Sequence, residues 1–286
     1  MMESLANVNL DISEIKHVVA KTGACLVWGG AVNLSPADDM LIRIERALDI
    51  DGEGQLIASV LSKKIAAGST HVVIDIPVGE TAKVRSEKSA QRLSKLFTSV
   101  GKACGIVVRC LISEGNNPVG VGIGPAEEAK DVLSVFSCED SAPQDLKERA
   151  LTIAANIFDL NDGRGYEAGL LLATKVLNSG EALRQFNRIV LAQGKPKKLG
   201  SARYRHTETS MQSGVLVRID NRKLARLAKL AGAPFSLNAG LRLYVSLGST
   251  VSKGCQMFTI LSDSYGELNY ALDYYYNNMD IFYIEV

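Results

Sequence analysis

The chain has 286 residues, of which 47% are hydrophobic, 22% charged and 6% aromatic, enough apolar material for two domains at roughly 100–200 residues each. Lys plus Arg (32) and Asp plus Glu (31) nearly cancel to a formal charge of +1, which excludes a basic field for nucleic acid and an acidic solvating tail. No apolar run approaches the roughly 18 residues of a membrane span, and the first residues carry no basic stretch followed by an apolar signal core; a soluble, cytoplasmic protein is expected.

Residues 9–21 read as an amphipathic helix: Asp11 with Glu14 three residues on makes a capping-box pattern, and Ile12, Ile15, Val18 and Val19 share a face. Residues 24–28 form a short apolar run closed by Gly29-Gly30, the pattern of a buried strand entering a tight turn. Residues 34–39 are a loop in which Pro36 opens a turn. A helix is expected over 53–67, with Leu56, Val60, Leu61 and Ile65 inward and Gly68 as its stop. Residues 71–79 look like an interior strand emerging into a glycine turn. A helix follows at 86–101 with Leu93, Leu96, Phe97 and Val100 inward, then a β-branched strand at 105–112. This alternation predicts an α/β layer built on a mostly parallel or mixed sheet.

Further helices are expected at 143–158 and 165–177. The stretch 192–206, with Gln193-Gly-Lys-Pro-Lys-Lys-Leu-Gly200, is polar, basic and rich in turn formers, and its lysines read as a solvated linker. The chain is thus divided into an α/β domain (1–192), a linker (193–206) and a smaller β-rich α+β domain (207–286). In the last, 214–219 is strand-like, Asn221 caps a helix at 222–231 that ends at Gly232, and 241–260 alternates through turns at Gly248 and Gly254. That run is similar to the hairpins of barrel-sandwich modules such as biotinyl and lipoyl domains, with Lys253 building a turn rather than carrying a group. The aromatic tail (Tyr270, Tyr274, Tyr275, Tyr276, Phe282, Tyr283) suits a domain core or a self-association surface.

Five scattered cysteines (Cys25, Cys104, Cys110, Cys138, Cys255) with no CxxC pair read as reduced thiols buried as small hydrophobes. The histidines (His17, His71, His206) lie far apart and none stands at ligand spacing from a cysteine, so no metal site is expected. No GxSxG elbow is present. Gly120-Val-Gly-Ile-Gly-Pro125 runs into a helix, where glycine amides can cradle an anion. It lacks the full dinucleotide spacing and a later acidic partner, and reads as a turn that lets Pro125 start a helix. Ser59 and Lys63 stand four residues apart, so they project from one helix face. A hydroxyl beside an ammonium suits a planar heterocycle bearing carbonyl oxygens; an ordinary solvated helix face accounts for the same spacing.

The runs Leu34-Ser-Pro-Ala-Asp38, Glu53-Gly-Gln-Leu-Ile-Ala-Ser-Val-Leu-Ser-Lys-Lys64 and Asp75-Ile-Pro-Val-Gly-Glu-Thr-Ala-Lys83 resemble the thymidine phosphorylase / AMP phosphorylase family. Asn117-Pro-Val-Gly120 and Gly122-Ile-Gly-Pro125 fit it too, and the likeness extends over almost the whole chain. It implies reversible phosphorolysis of a nucleoside or nucleotide to a pentose 1-phosphate and a free base, with inorganic phosphate as co-substrate and no cofactor or metal. Phosphate attacks the anomeric carbon as the glycosidic bond breaks, and donors aimed at the departing base lower the barrier. By this resemblance Asp51 matches the proton donor of the AMP branch, a role that requires burial or a nearby carboxylate such as Asp49 to keep it protonated; a loop aspartate making local turn bonds is the plain alternative. Ser59 matches a substrate-binding position of both branches, Lys63 the lysine that meets the base carbonyls in the thymidine branch, and Lys83 a nucleotide-binding lysine of the AMP branch, suited to a 5′-phosphate. The arginine that helps hold the pyrimidine has two neighbouring counterparts, Arg43 and Arg46, and is assigned to neither.

Members of that family carry upstream a helical domain, a glycine-rich phosphate loop and a Ser/Thr-rich signature that this sequence lacks, so the chain is expected to be a C-terminal portion of a longer enzyme. The implied reaction is of thymidine phosphorylase type, thymidine plus phosphate to thymine plus 2-deoxyribose 1-phosphate. The alternatives are a nucleoside-monophosphate phosphorylase such as one acting on AMP, and a non-catalytic binding or assembly module; a dinucleotide oxidoreductase resting on the Gly120 loop has the least support. A homo-oligomer is expected. Because positioning of the phosphate carries many powers of ten in such a reaction, the purified chain by itself should show negligible turnover of any nucleoside or AMP with phosphate; measurable turnover would overturn that expectation.

Overall fold

The computed structural model describes residues 1–29 and 52–286. The expectations placed on Gly30, the 34–39 loop, Arg43, Arg46, Asp49 and Asp51 lie outside them. A reciprocal capping box opens the first helix, α1 (Ile12–Thr22): the Asp11 carboxylate accepts the Glu14 amide, Glu14 accepts the Asp11 amide, both at 2.8 Å, and Gly23 ends the helix at φ 80°. The apolar run 24–28 is not the buried strand its composition suggests. Its backbone is served by scattered partners: Gln193 Oε1 accepts the Leu26 amide (2.6 Å) while Nε2 donates to the Leu26 carbonyl (2.8 Å) and to that of Asn7 (2.7 Å), the Thr22 hydroxyl donates to the Ala24 carbonyl (2.7 Å), and the Trp28 amide donates to the Val8 carbonyl (2.8 Å). Trp28, at 64% exposure, faces outward.

Helix α2 (Glu53–Ala66), strand β1 (His71–Val78), helix α3 (Glu87–Ala103) and strand β2 (Val107–Glu114) follow as expected within a few residues. The strands pair in parallel, from His71 opposite Val107 to Val78 opposite Glu114. On one face Val72, Ile76 and Val108 pack against Ile57 and Leu61 of α2 and Leu93 and Phe97 of α3. The alternate residues face α5 (Gln144–Asp162), where Asp75 meets Arg149 at 3.3 Å and Arg109 meets Asp159 at 2.7 Å. The Arg109 guanidinium, helped by the Gly165 amide, holds the Asp159 carboxyl below the usual carboxylate range.

Strand β3 (Gly122–Ile123), α4 (Pro125–Phe136), α6 (Tyr166–Asn178) and α7 (Glu181–Ala192) complete this half. The chain-order reading assigns no element to α7, yet its Phe186 and Val190 form a cluster with Leu5, Ala6 and Ala129 that fastens the N-terminal segment. The remaining elements are β4 (Tyr204–Thr209), β5 (Gly214–Ile219), α8 (Asn221–Leu230), β6 (Gly240–Leu243), β7 (Thr250–Val251), β8 (Gln256–Ser262), α9 (Tyr265–Tyr276) and β9 (Phe282–Glu285). They make two antiparallel sheets, β3-β6-β8-β4 and β7-β5-β9. The class is α/β with a β-rich α+β C-terminal portion. Strand β4 begins within the stretch read as a linker, and β3 of the first half supplies an edge of the C-terminal sheet.

Three finer expectations are corrected. Strands β7 and β8 are not a hairpin pair, because β7 joins β5 in the other sheet. The cap of α8 is Asp220, whose carboxylate accepts the amides of Arg222 and Lys223 at 3.0 Å each, while Asn221 is the first helical residue. The cysteines are free but not buried: Cys104 and Cys138 are exposed, the other three half-buried. The aromatic tail divides. Tyr275 and Phe282 pack on Phe258 at 4.9 and 5.3 Å between ring centres, in a core with Leu216, Leu227 and Ile260. Tyr270, Tyr276 and Tyr283 are exposed.

The glycine run after β2 is a turn that passes into strand β3, and its amides already have acceptors. Asp145 accepts the Gly120 amide (2.9 Å), and one oxygen of Asp131 accepts those of Val121 (2.8 Å) and Gly122 (2.7 Å). Gly124, at φ 116°, brings the chain onto Ala239 and lets Pro125 open α4. Asp131, 3% exposed, also meets Arg242 of β6 at 3.3 Å, as buried Glu127 does at 3.2 Å. Asp131→Ala leaves two amides and Arg242 without that acceptor and should cost about 3–5 kcal/mol of stability. Urea unfolding checks this; a loss below about 1 kcal/mol would show that the seam does not depend on the carboxylate.

Candidate functional site

Helix α2 owes its placement to apolar residues at helical spacing. Ile57 and Leu61 are buried, and Leu56 and Val60 pack on the same β1–β2 cluster. Its first turn is pinned to α3 by an ion pair of Glu53 with Arg92 at 3.0 Å. Ser59 and Lys63 sit one turn apart on the margin of that docking face, each half-buried. The structure therefore joins these two candidates on one helix face.

Lys83 lies on a separate element, the loop that leaves the C-terminal end of β1, and is exposed. The loop is a compact turn: the Gly79 amide donates to the Val84 carbonyl and the Ala82 amide to the Gly79 carbonyl, both at 3.1 Å, while Val84 bridges back to Val78. Val78 and Val84 rest on the same apolar cluster as Leu56 and Val60, so the loop and α2 are braced by one core. A cavity of about 590 Å3 opens on α2, lined by Glu53, Gly54, Ile57 and Ala58 with Arg92 and Leu96 of α3, and takes no residue from Ser59, Lys63 or Lys83. Asp51, Arg43 and Arg46 lie outside the described residues.

In open parallel sheets ligands sit outside the carboxyl ends of the strands, and here both exits, after β1 and after β2, run side by side. A Cβ on Gly79 would stand 2.5 Å from the Gly115 carbonyl carbon, so a side chain there would force the two loops apart. The Asn116 side-chain oxygen accepts the Glu80 amide at 2.8 Å, tying the β2 loop to the β1 loop. From the C-terminal half, Asn221 Nδ2 donates to the carbonyls of Gly115 (3.1 Å) and Asn116 (3.0 Å), and Arg222 Nε donates to the Thr81 carbonyl (3.0 Å). The Leu247 amide donates to Asn117 Oδ1 at 3.2 Å. The sequence reading did not single out Asn116 or Arg222 for the site, and took Asn221 only as a helix cap. Their partners across the seam lie 106 and 141 residues away for Asn221–Gly115 and Arg222–Thr81, beyond any local spacing pattern.

Chemically, a hydroxyl and an ammonium on α2 and a second ammonium at the β1 exit suit a ligand with carbonyl oxygens and an anionic group. Among the described residues, no group of three or more His, Cys, Asp or Glu side chains could hold a metal ion, and no helix is long and apolar enough to cross a membrane.

No family model matches the chain. Individual proteins do. It is 50% identical over 280 residues to a protein of Legionella pneumophila (strain Paris) named "Putative thymidine phosphorylase", covering 98% of this chain and 54% of that protein. It is 51% identical over 284 residues to a protein of the same name from Parvibaculum lavamentivorans, covering 99% of this chain and 56% of the relative. It is 51% identical over 283 residues to "Putative thymidine phosphorylase 2" of Acidovorax sp. (strain JS42), covering 99% and 55%. The chain thus spans about half the length of the curated relatives it matches, and over that span about half of its residues are identical to those of proteins named putative thymidine phosphorylases.

Proposed function

We propose that this chain supplies the base- and sugar-facing side of a nucleoside phosphorylase of thymidine phosphorylase type, working with inorganic phosphate as co-substrate, in the cytoplasm and as a homo-oligomer. The observation that carries the reading is the pairing of Ser59 and Lys63 on one face of α2, a helix docked on two parallel strands, in a chain about half identical to proteins with that name.

In the proposed reaction a phosphate oxygen forms a bond to the anomeric carbon while the carbon–nitrogen bond breaks and its electron pair moves into the base. The Lys63 ammonium and Ser59 hydroxyl donate to the base carbonyl oxygens, where the negative charge collects. Asp51 delivers a proton to the departing base. Lys83 holds the 5′ end of the substrate as a compact positive charge, which extends the reading to nucleoside 5′-monophosphates.

The test is an assay of the full-length protein with thymidine, AMP, CMP and UMP, each with phosphate. Ser59→Ala and Lys63→Ala should each lower kcat/KM by about 10²–10³-fold, the usual cost of removing one donor to a developing anion. Lys83→Ala should weaken nucleotide use and spare nucleosides; an equal loss on both would remove the 5′-phosphate assignment. Wild-type protein inert on all four substrates would overturn the reading as a whole.

A further inference from the structure

We propose that Asn221 and Arg222, the first two residues of α8, are positioning residues for Lys83: they hold the loop that carries it against the β2 exit and so set the affinity for the part of the substrate that Lys83 meets. The inference rests on the reading of Lys83 above and extends it to residues of the C-terminal half that touch no substrate.

Two connections converge on the loop. Arg222 Nε donates directly to the Thr81 carbonyl at 3.0 Å, two residues before Lys83. Asn221 Nδ2 donates to the carbonyls of Gly115 and Asn116 at 3.1 and 3.0 Å, and the Asn116 side chain in turn accepts the Glu80 amide at 2.8 Å. Glu80 and Thr81 are therefore both held from α8, one through an intermediary and one directly. Helix α8 is itself a firm base: Asp220 caps its first amides, and Leu224 and Leu227 are buried in the C-terminal core. An asparagine at the first helical position has no intrahelical use for its side-chain amide, which leaves it available to bond across the seam.

A further observation concerns the same joint. Among the described residues, the Thr81 hydroxyl and the Asn221 side-chain carbonyl are buried without a hydrogen-bond partner. One can donate and the other accept, so the joint retains bonding capacity on both sides, and buried polar groups seldom stay unpaired without a reason.

Two measurements test this. In the 286-residue chain, hydrogen exchange at the Glu80 amide and across residues 79–85 should quicken by about five- to tenfold in Arg222→Ala and in Asn221→Ala, the size of one or two lost hydrogen bonds. Arg222→Lys, which keeps a donor for the Thr81 carbonyl, should restore most of the protection. Arg222 is exposed, so its alanine variant removes no core contact and keeps the test open if Asn221→Ala fails to fold. In the full-length protein, Arg222→Ala should raise KM several-fold with kcat unchanged, for whichever substrate Lys83→Ala affects. In a Lys83→Ala background it should add nothing. Unchanged exchange, or a KM effect that persists in full without Lys83, would overturn the positioning role while leaving the reading of Lys83 intact. If Lys83→Ala alters no substrate although exchange quickens in Arg222→Ala, the reading of Lys83 fails and the functional half of the inference fails with it.

Discussion

Amides that leave water must find acceptors, and at residues 120–122 the acceptors are carboxylates from elsewhere in the chain. Asp131 takes two of those amides on one oxygen and faces Arg242 with the other, so one buried side chain fixes the end of the β2 loop, the start of α4 and the edge of the C-terminal sheet at once. A charge so enclosed is stable because both of its oxygens meet donors. Everything beyond the carboxyl ends of β1 and β2 is built on this seam. Because β3 pairs with β6, the two halves share a sheet, and the loops next to it inherit a defined position.

That arrangement gives the C-terminal half a purpose beyond packing. In a free-standing parallel pair, the loops leaving the strands would have water for partners and a wide range of positions. Here Asn117, Asn221 and Arg222 bring the first-half loops into hydrogen bonds with a helix and a loop rooted in a separate hydrophobic core. Ser59 and Lys63 stand instead on a single helix. That helix, docked by Ile57 and Leu61, sets their common direction by its periodicity.

This difference explains what the sequence makes legible. The capping box of Asp11 and Glu14 is visible because both partners lie within four residues and the chemistry is local. The same is true of Ser59 and Lys63, one turn apart on α2, and of Leu61 on its buried face, whereas Ile65, read as inward, is exposed. The apolar run 24–28 misleads because composition reports only that a segment avoids water, not what serves its backbone; a glutamine distant in sequence takes the place of a neighbouring strand. Asp220 and Asn221 are adjacent cap formers, and spacing alone does not say which side chain turns back on the helix and which reaches outward. The glycine run does let Pro125 open a helix as read, but its Gly122–Ile123 form strand β3, and Asp131 and Asp145 are not identified as acceptors of its amides, since nothing in a window around them marks the pairing. For the site, the helix-borne pair is legible and the scaffold around Lys83 is not.

The near contact of Gly79 with Gly115 carries one more consequence. Two backbones that meet without an intervening side chain leave no room for one loop to accept extra volume unless the other yields, so the β1 and β2 exits are positioned together. A substitution that enlarges either glycine should not act alone. Its effect should depend on the residue opposite and on the length of both loops, which makes this pair a place where mutational effects are epistatic rather than additive.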